Sequence, residues 1–259
     1  MLEFLRPQLS IATLDWGQTT KSGGVSCFGE SSKEEKLASP FRQNTLNLAT
    51  HVNDSPEAVL ENWRKFSNAS IWSRETIATC QQVHGSVVLE ASEGGHHLVE
   101  ADAIISRQPG LAVGVFTADC VPILVADPLL KHVAAIHCGW KGVAANLTAK
   151  AIAQLVATDK HAPERLLVWI GAAIQCQSYE VGPEVAQQFN QSVFTDGKPG
   201  KFQLDLPKAI HQQLLNVGIH SKNIEDCSID TYILNKKFFS YRADHHHTGR
   251  MLTFAGFSK

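Results

Sequence analysis

Between Leu111 and His137 the chain runs through three short apolar segments: Leu111-Ala-Val-Gly-Val-Phe-Thr117, Ile123-Leu-Val-Ala126 and Val133-Ala-Ala-Ile-His137. Runs of this length, bounded by turn residues, read as buried strands. Gly110 and the Asp119-to-Pro122 stretch bracket the first, and Asp127-Pro128 ends the second, so the first two form a hairpin-like unit. With 259 residues and 44% hydrophobic content there is enough apolar material for a substantial core.

The rest of the chain alternates strand and helix signals irregularly. Further strands are expected at Leu9–Asp15, Thr76–Thr79, Ser86–Glu90, Ala101–Ser106, Leu166–Ile170, Ser228–Tyr232 and Met251–Phe257. A helix should follow Asp54 or Ser55 as its cap, with Pro56 in the first turn and Val59, Leu60 and Trp63 on its apolar face. Others are expected over about Ala144–Ala157, Pro183–Phe189 and Leu206–Val217, the last spaced through Ile210, Leu214 and Leu215. Lys21–Ser26 and Glu93–His97 read as loops, and Glu30–Ala38 as a polar surface excursion. No linker interrupts the pattern, so residues 1–259 are expected to form a single domain of the α/β (α+β mixed) class, with mixed β-sheets flanked by helices.

Several functional classes are disfavoured at once. A formal net charge of -2 lacks the basic excess of a nucleic-acid binder held through phosphates. No apolar run approaches the roughly 20 residues that span a bilayer, and the first residues lack signal-peptide features. The six cysteines are scattered, which suits free thiols in a cytoplasmic protein. No protein partner is evident.

Two strand ends carry reactive side chains. Cys120 lies in Thr117-Ala-Asp-Cys-Val-Pro122 and His137 begins His137-Cys-Gly-Trp140, while Gln81-Gln-Val-His-Gly85 offers a second imidazole at His84. Two imidazoles and a thiolate are the donors of a catalytic zinc site with an open fourth position. The gaps between them exceed a zinc-finger knuckle and suit ligands gathered from separate strands. The same residues admit a Cys120 nucleophile with His137 or His84 as base and Asp119 or Asp102 as orienter, or a packed thiol beside hydrogen-bonded histidines. A copper oxidase fits less well, since a blue-copper centre often adds an axial methionine and the only methionines are Met1 and Met251, neither near these motifs. His245-His-His247 and His96-His97 read as solvated loops. Lys141, before a helix, and Arg242 and Arg250, flanking the histidine tract, are candidate anion ligands.

The chain resembles the laccase-domain family, also called multicopper polyphenol oxidase-like proteins and understood as purine nucleoside phosphorylases. The resemblance runs in order through Gly23-Gly-Val-Ser26, Leu46-Asn-Leu48 with His51-Val-Asn-Asp54, Gln82-Val-His-Gly85, Ala101-Asp-Ala103, the Thr117 and His137 runs, Gly171-Ala-Ala-Ile174, Tyr179-Glu-Val-Gly182, Phe239-Ser-Tyr-Arg242 and Thr248-Gly-Arg250. The chain departs from the family pattern in the Phe28–Thr45 segment, in Asn62-Trp-Arg64 and in the histidine tract. The resemblance implies a metal site of His84, Cys120 and His137, with zinc the expected metal and copper possible. It also implies phosphorolysis of adenosine, inosine and methylthioadenosine, with adenosine deamination as a second activity. Nucleosides and phosphate are the expected ligands, and Arg42, Asn47, Arg64, Lys141 and Arg242 are candidates to hold them.

Overall fold

The computed structural model describes residues 2–27, 44–157 and 162–259. The Glu30–Ala38 excursion and Arg42 lie outside these residues.

Two six-stranded sheets make up the body. With elements numbered along the chain, the first sheet runs β1 (Phe4–Leu5), β2 (Leu14–Thr19), β16 (Met251–Phe257), β8 (Ala112–Thr117), β4 (Ile77–Gln81) and β6 (Gly95–Glu100). The second runs β15 (Ile224–Asp226), β11 (Leu167–Ile170), β9 (Val121–Asp127), β10 (His132–Cys138), β7 (Ala103–Ser106) and β5 (Val88–Ala91). A small third sheet holds β12 (Glu180–Val181), β14 (Phe202–Leu204) and β13 (Phe194–Asp196), and β3 (Ser22–Ser26) bridges to Thr45. Parallel pairs (β4 with β6 and β8, β5 with β7, β11 with β15) sit among antiparallel ones, so the sheets are mixed.

Period-two alternation sorts the buried strands into layers. Val113, Val115, Leu124, Ala126, Val133, Ala135 and Ile104 belong to the core between the two sheets. Their neighbours Val121, Ile123, Val125, Ala134 and Ile136 turn the other way and pack beneath α3 (Leu147–Leu155) and α5 (Leu206–Asn216). On the far side Ala112, Phe116, Leu252 and Phe254 meet Val59, Trp63 and Phe66 of α1 (Pro56–Ala69). Strands covered on both faces read as unbroken apolar runs, which is why Leu111–His137 looks as it does. The Ser55 hydroxyl caps α1 by accepting the Ala58 N–H at 3.1 Å, and Pro56 occupies its first turn. Buried Asn62 of α1 accepts the Val25 N–H at 2.7 Å and donates to the Asn47 carbonyl at 2.8 Å, so the helix locks the Gly23-Gly24 run in place.

Several sequence expectations shift. Strands β8 and β9 form no hairpin: β8 pairs with β16 and β4, whereas β9 pairs with β10 and β11, and residues 118–120 cross between the sheets. The strand expected at Leu9–Asp15 begins only at Leu14, because Gln8 and Leu9 give their N–H groups to the Glu225 carboxylate instead of a ladder. The Glu93–His97 stretch is no loop, since from Gly95 it adds to the first sheet as a parallel edge beside β4. The long helix expected from Ala144 is split into α2 (Trp140–Ala144) and α3 by Asn146, which adopts a left-handed φ of 57°. The helix expected at Pro183–Phe189 is the single turn α4 (Pro183–Ala186). Ser228–Tyr232 is not a strand; its ladder contact is one bridge between Ala173 and Asp230.

Candidate metal centre

Three strand ends meet at one edge of the double sheet. The turn Gln82–Gly85 follows β4, residues 118–120 carry the chain from β8 into β9, and His137 lies one residue from the end of β10. The β9–β10 register sets His137 opposite Pro122 and Cys138 opposite Val121, which brings His137 beside Cys120. One nitrogen from each of His84 and His137 and the Cys120 sulfur all lie within 4.8 Å of one another. The Cys120 Sγ is 3.8 Å from His84 Nε2, and the two imidazole rings stand edge to face with centroids 4.8 Å apart. His137 is buried, Cys120 half-buried and His84 exposed, so the cluster opens to solvent on the His84 side.

Asp102 organises this cluster. It is wholly buried, and its Oδ1 accepts from His137 Nδ1 at 2.7 Å and from the His84 N–H at 2.9 Å. Its Oδ2 accepts the Gly85 N–H at 2.6 Å and the Val83 N–H at 3.2 Å. One carboxylate therefore shapes the His84 turn and leaves His137 Nε2 facing the cluster, the arrangement that orients metal-bound histidines. The Gln82 side chain clips the turn to β8 with a bond in each direction to the Phe116 backbone, at 2.8 and 2.7 Å. Gly139 is required by close approach: a Cβ there would stand 2.8 Å from His84 Cδ2.

Asp119 has a different task. Its Oδ1 accepts the Thr231 hydroxyl at 2.7 Å and its Oδ2 the Arg242 N–H at 2.7 Å, pinning the crossing corner that carries Cys120. His84 and Asp119 both adopt positive φ, 59° and 87°, costly backbone states for side-chain-bearing residues that tend to gather at functional sites.

The electrostatics agree with the geometry. Burial opposes ionisation of Cys120, but the His137 and His84 imidazoles outweigh it and draw its pKa down. Burial likewise opposes a charge on His137, and the Cys120 sulfur and Asp102 together outweigh it and raise its pKa. The metal-free site therefore favours a Cys120 thiolate beside a protonated His137, and a metal would bind the thiolate and displace the His137 proton. Tetrahedral zinc with bonds of about 2.3 Å to sulfur and 2.0 Å to nitrogen sets its ligand atoms roughly 3.3–3.6 Å apart. The donor set suits one such ion with an open fourth position, and the ligand atoms, 3.8 Å apart for Cys120 and His84 and within 4.8 Å overall, would draw in to hold it.

The remaining candidates are scattered. Arg242 is tied to the Cys120 corner through Asp119; its guanidinium lies 5.5 Å from the Tyr179 ring centroid and donates to the Glu180 carbonyl at 3.1 Å. Lys141 is exposed at the start of α2, 5.7 Å from the Trp140 ring. Arg64 is bound by both carboxylate oxygens of Glu61 at 2.7 Å on the solvent face of α1. Asn47 is wholly buried, donates to Asp54 and the Ala49 carbonyl, and accepts the N–H groups of Ala49 and Arg250. His246 stacks on Tyr241 at 4.4 Å, and none of the three tract histidines joins the metal-binding group. Sequence reasoning did not single out His51. Its ring packs on Phe116 with centroids 6.1 Å apart, and partial burial, then Arg250, His96 and His137, lower its pKa to about 4. Its presence in the His51-Val-Asn-Asp54 run was the one available signal.

Comparison with known proteins converges on one family. A family model described as multi-copper polyphenol oxidoreductase laccase matches residues 15–258. Purine nucleoside phosphorylase YfiH of Shigella flexneri is 35% identical over 219 residues, covering 82% of this chain and 86% of that one. A purine nucleoside phosphorylase of Deinococcus radiodurans is 33% identical over 242 residues, covering 92% and 87%. Among solved structures, YlmD of Geobacillus stearothermophilus superposes with a TM-score of 0.83 at 27% identity over 99% of each chain. Neisseria meningitidis protein NMB0706 gives 0.81 at 30% identity, covering 100% of this chain and 99% of that one. The chain belongs to the multi-copper polyphenol oxidoreductase laccase family, whose curated relatives carry the name purine nucleoside phosphorylase.

Proposed function

We propose that this protein is a zinc-dependent purine nucleoside phosphorylase acting on adenosine, inosine and methylthioadenosine, with adenosine deamination as a second activity. The names of its relatives support the phosphorylase class. The observation that carries the reading is the gathering of His84, Cys120 and His137 in front of buried Asp102. Zinc held by those three residues would supply Lewis acidity and lower the pKa of water at neutral pH. Asp102 holds His137 in the tautomer that leaves Nε2 for the cluster, and Asp119 keeps the Cys120 corner from shifting. Arg242, tied to the Cys120 corner through Asp119, and Lys141 at the start of α2 would bind substrate, while Asn47 braces Asp54 and the Arg250 backbone. The unpaired cysteines support a cytoplasmic setting.

Incubating the purified protein with adenosine, with and without phosphate, and assaying adenine, ribose-1-phosphate, inosine and hypoxanthine tests the proposal. Absence of all four products removes it; inosine formed without phosphate isolates the deaminase half.

A second reading has its own support. Asp102, His137 and Cys120 form a carboxylate–imidazole–thiol series, the layout of a cysteine hydrolase. Metal-free protein that stays active and is silenced by a thiol alkylator would favour it. A copper oxidase is weaker, because the Met251 sulfur already accepts the Phe239 N–H at 3.0 Å and is no axial ligand.

A further inference from the structure

Arg250 carries a charge that the mechanism above leaves unused. It directly precedes β16, and the β16–β8 register sets Met251 opposite Thr117, so Arg250 lies beside the start of the crossing corner that carries Cys120. Its backbone N–H is fixed by Asn47 Oδ1 at 3.0 Å. Its guanidinium lies 5.6 Å from the Tyr241 ring centroid, and Nη1 donates to the Thr248 and Gly249 carbonyls at 2.9 and 3.0 Å. No carboxylate among the described residues pairs with it, and its other guanidinium N–H groups have no acceptor there. The loop beneath it is equally constrained, since a Cβ at Gly249 would stand 2.7 Å from the Phe239 ring and 2.9 Å from Asn47 Cβ.

The surroundings point toward the metal cluster. In the same register Leu252 stands opposite Phe116, the residue that carries the His51 ring, so Arg250 and His51 both lie at the strand ends that lead into the crossing corner. His51 rests on Phe116, one residue before Thr117, and no acceptor or donor among the described residues engages its ring nitrogens. A part-buried guanidinium lacking a counter-ion is unfavourable unless an anion completes it, and its planar fork suits an oxyanion better than a point donor would.

We propose that Arg250 and His51 form an oxyanion seat beside the His84–Cys120–His137 cluster, and that the oxyanion is inorganic phosphate. The seat rests on the placement of Arg250 and His51 at the strand ends beside the crossing corner; the identity of its ion rests on the phosphorolytic reading. Arg250 holds the charge, His51 adds one hydrogen bond, and Asn47 is a positioning residue that fixes the arginine backbone.

The test uses the zinc-loaded full chain with inorganic phosphate as the sole ligand, followed by phosphorus NMR or calorimetry, and then by kinetics. Arg250→Gln should weaken phosphate binding and raise the phosphate KM on the order of 10- to 100-fold, leaving the nucleoside KM and zinc content in place. Arg250→Lys, which keeps the charge and loses the fork, should fall between. His51→Gln, a change at a ring that anchors no backbone, should weaken phosphate several-fold and covers the case in which Arg250→Gln does not fold. Wild-type protein that binds no phosphate overturns the proposal, as does Arg250→Gln that binds it like wild type or loses only nucleoside affinity. Phosphate binding that depends on Arg250 in a protein without phosphorolysis keeps the seat and removes the phosphorylase reading.

Discussion

Replacing Asp102 by Asn tests whether one buried carboxylate builds the site. Each of its oxygens accepts two bonds: Oδ1 from His84 and His137, Oδ2 from Val83 and Gly85. An amide keeps one acceptor and turns an N–H2 toward two donors, whichever way it is oriented. Two charge-assisted bonds at about 1.5–3 kcal/mol each amount to ~3–6 kcal/mol. A domain of this size holds only about 5–15 kcal/mol in total, and a loss of this order lowers Tm by about 6 °C or more. Because the same bonds aim both histidines, metal affinity should fall by about 10- to 100-fold in addition. Calorimetry on metal-stripped protein reads the first effect, and zinc competition against a chelator reads the second. An Asp102→Asn protein with wild-type Tm and wild-type zinc affinity would refute the role given to this carboxylate.

Other consequences are as specific. Cys120→Ala should abolish stoichiometric zinc, measured by elemental analysis, while the fold persists by circular dichroism. Gly139→Ala places a methyl 2.8 Å from the His84 ring, so zinc affinity should drop roughly tenfold with little change in Tm. Phe66→Ala removes a wholly buried ring set edge-on to Trp63 and Phe254, and denaturant unfolding should show a loss of about 3–5 kcal/mol. Burial raises the Asp127 pKa, but bonds from Arg165 at 2.7 and 3.0 Å outweigh it and hold the pKa below 3.8. Its stabilisation is present above that value and disappears as pH falls through the lower folded pKa. Asp127→Asn should therefore cost about 1.5–3 kcal/mol at neutral pH, and the gap from wild type should close in acid; a gap constant with pH would contradict the assignment.

The triad was legible because each member ends or follows an apolar strand, and strand ends can be read from composition. What the sequence could not show was which sheet each strand joins. Val113 and Leu124 have the same character, yet they enter the shared core from opposite sheets, a long-range pairing with no local signature. The choice between Asp102 and Asp119 as partner of His137 hid in the same place: it depends on β7 lying beside β10, where the His137 N–H also reaches the Asp102 carbonyl at 2.7 Å. Arg64 and Asn47 carry the right chemistry in the right motifs, and only packing reveals that one salt-bridges its own helix and the other braces a loop. The break at Asn146 escaped because the apolar spacing continues across it while the backbone does not.

The crossing at residues 118–120 has a further consequence for how the molecule comes together. His84 hangs from the first sheet, His137 belongs to the second, and Cys120 sits on the chain that joins them. A metal held by all three is a cross-link between two layers, closing loops far apart in sequence. The binding pocket cannot exist in a chain whose sheets have not yet docked, so ligation should be a late event in folding, and metal removal should loosen this edge before the helices on the outer faces. Hydrogen exchange at the Gln82–Gly85 turn and at Ile174, whose N–H is held by the Asp119 carbonyl at 2.9 Å, would follow the clasp opening while α3 and α5 stay protected.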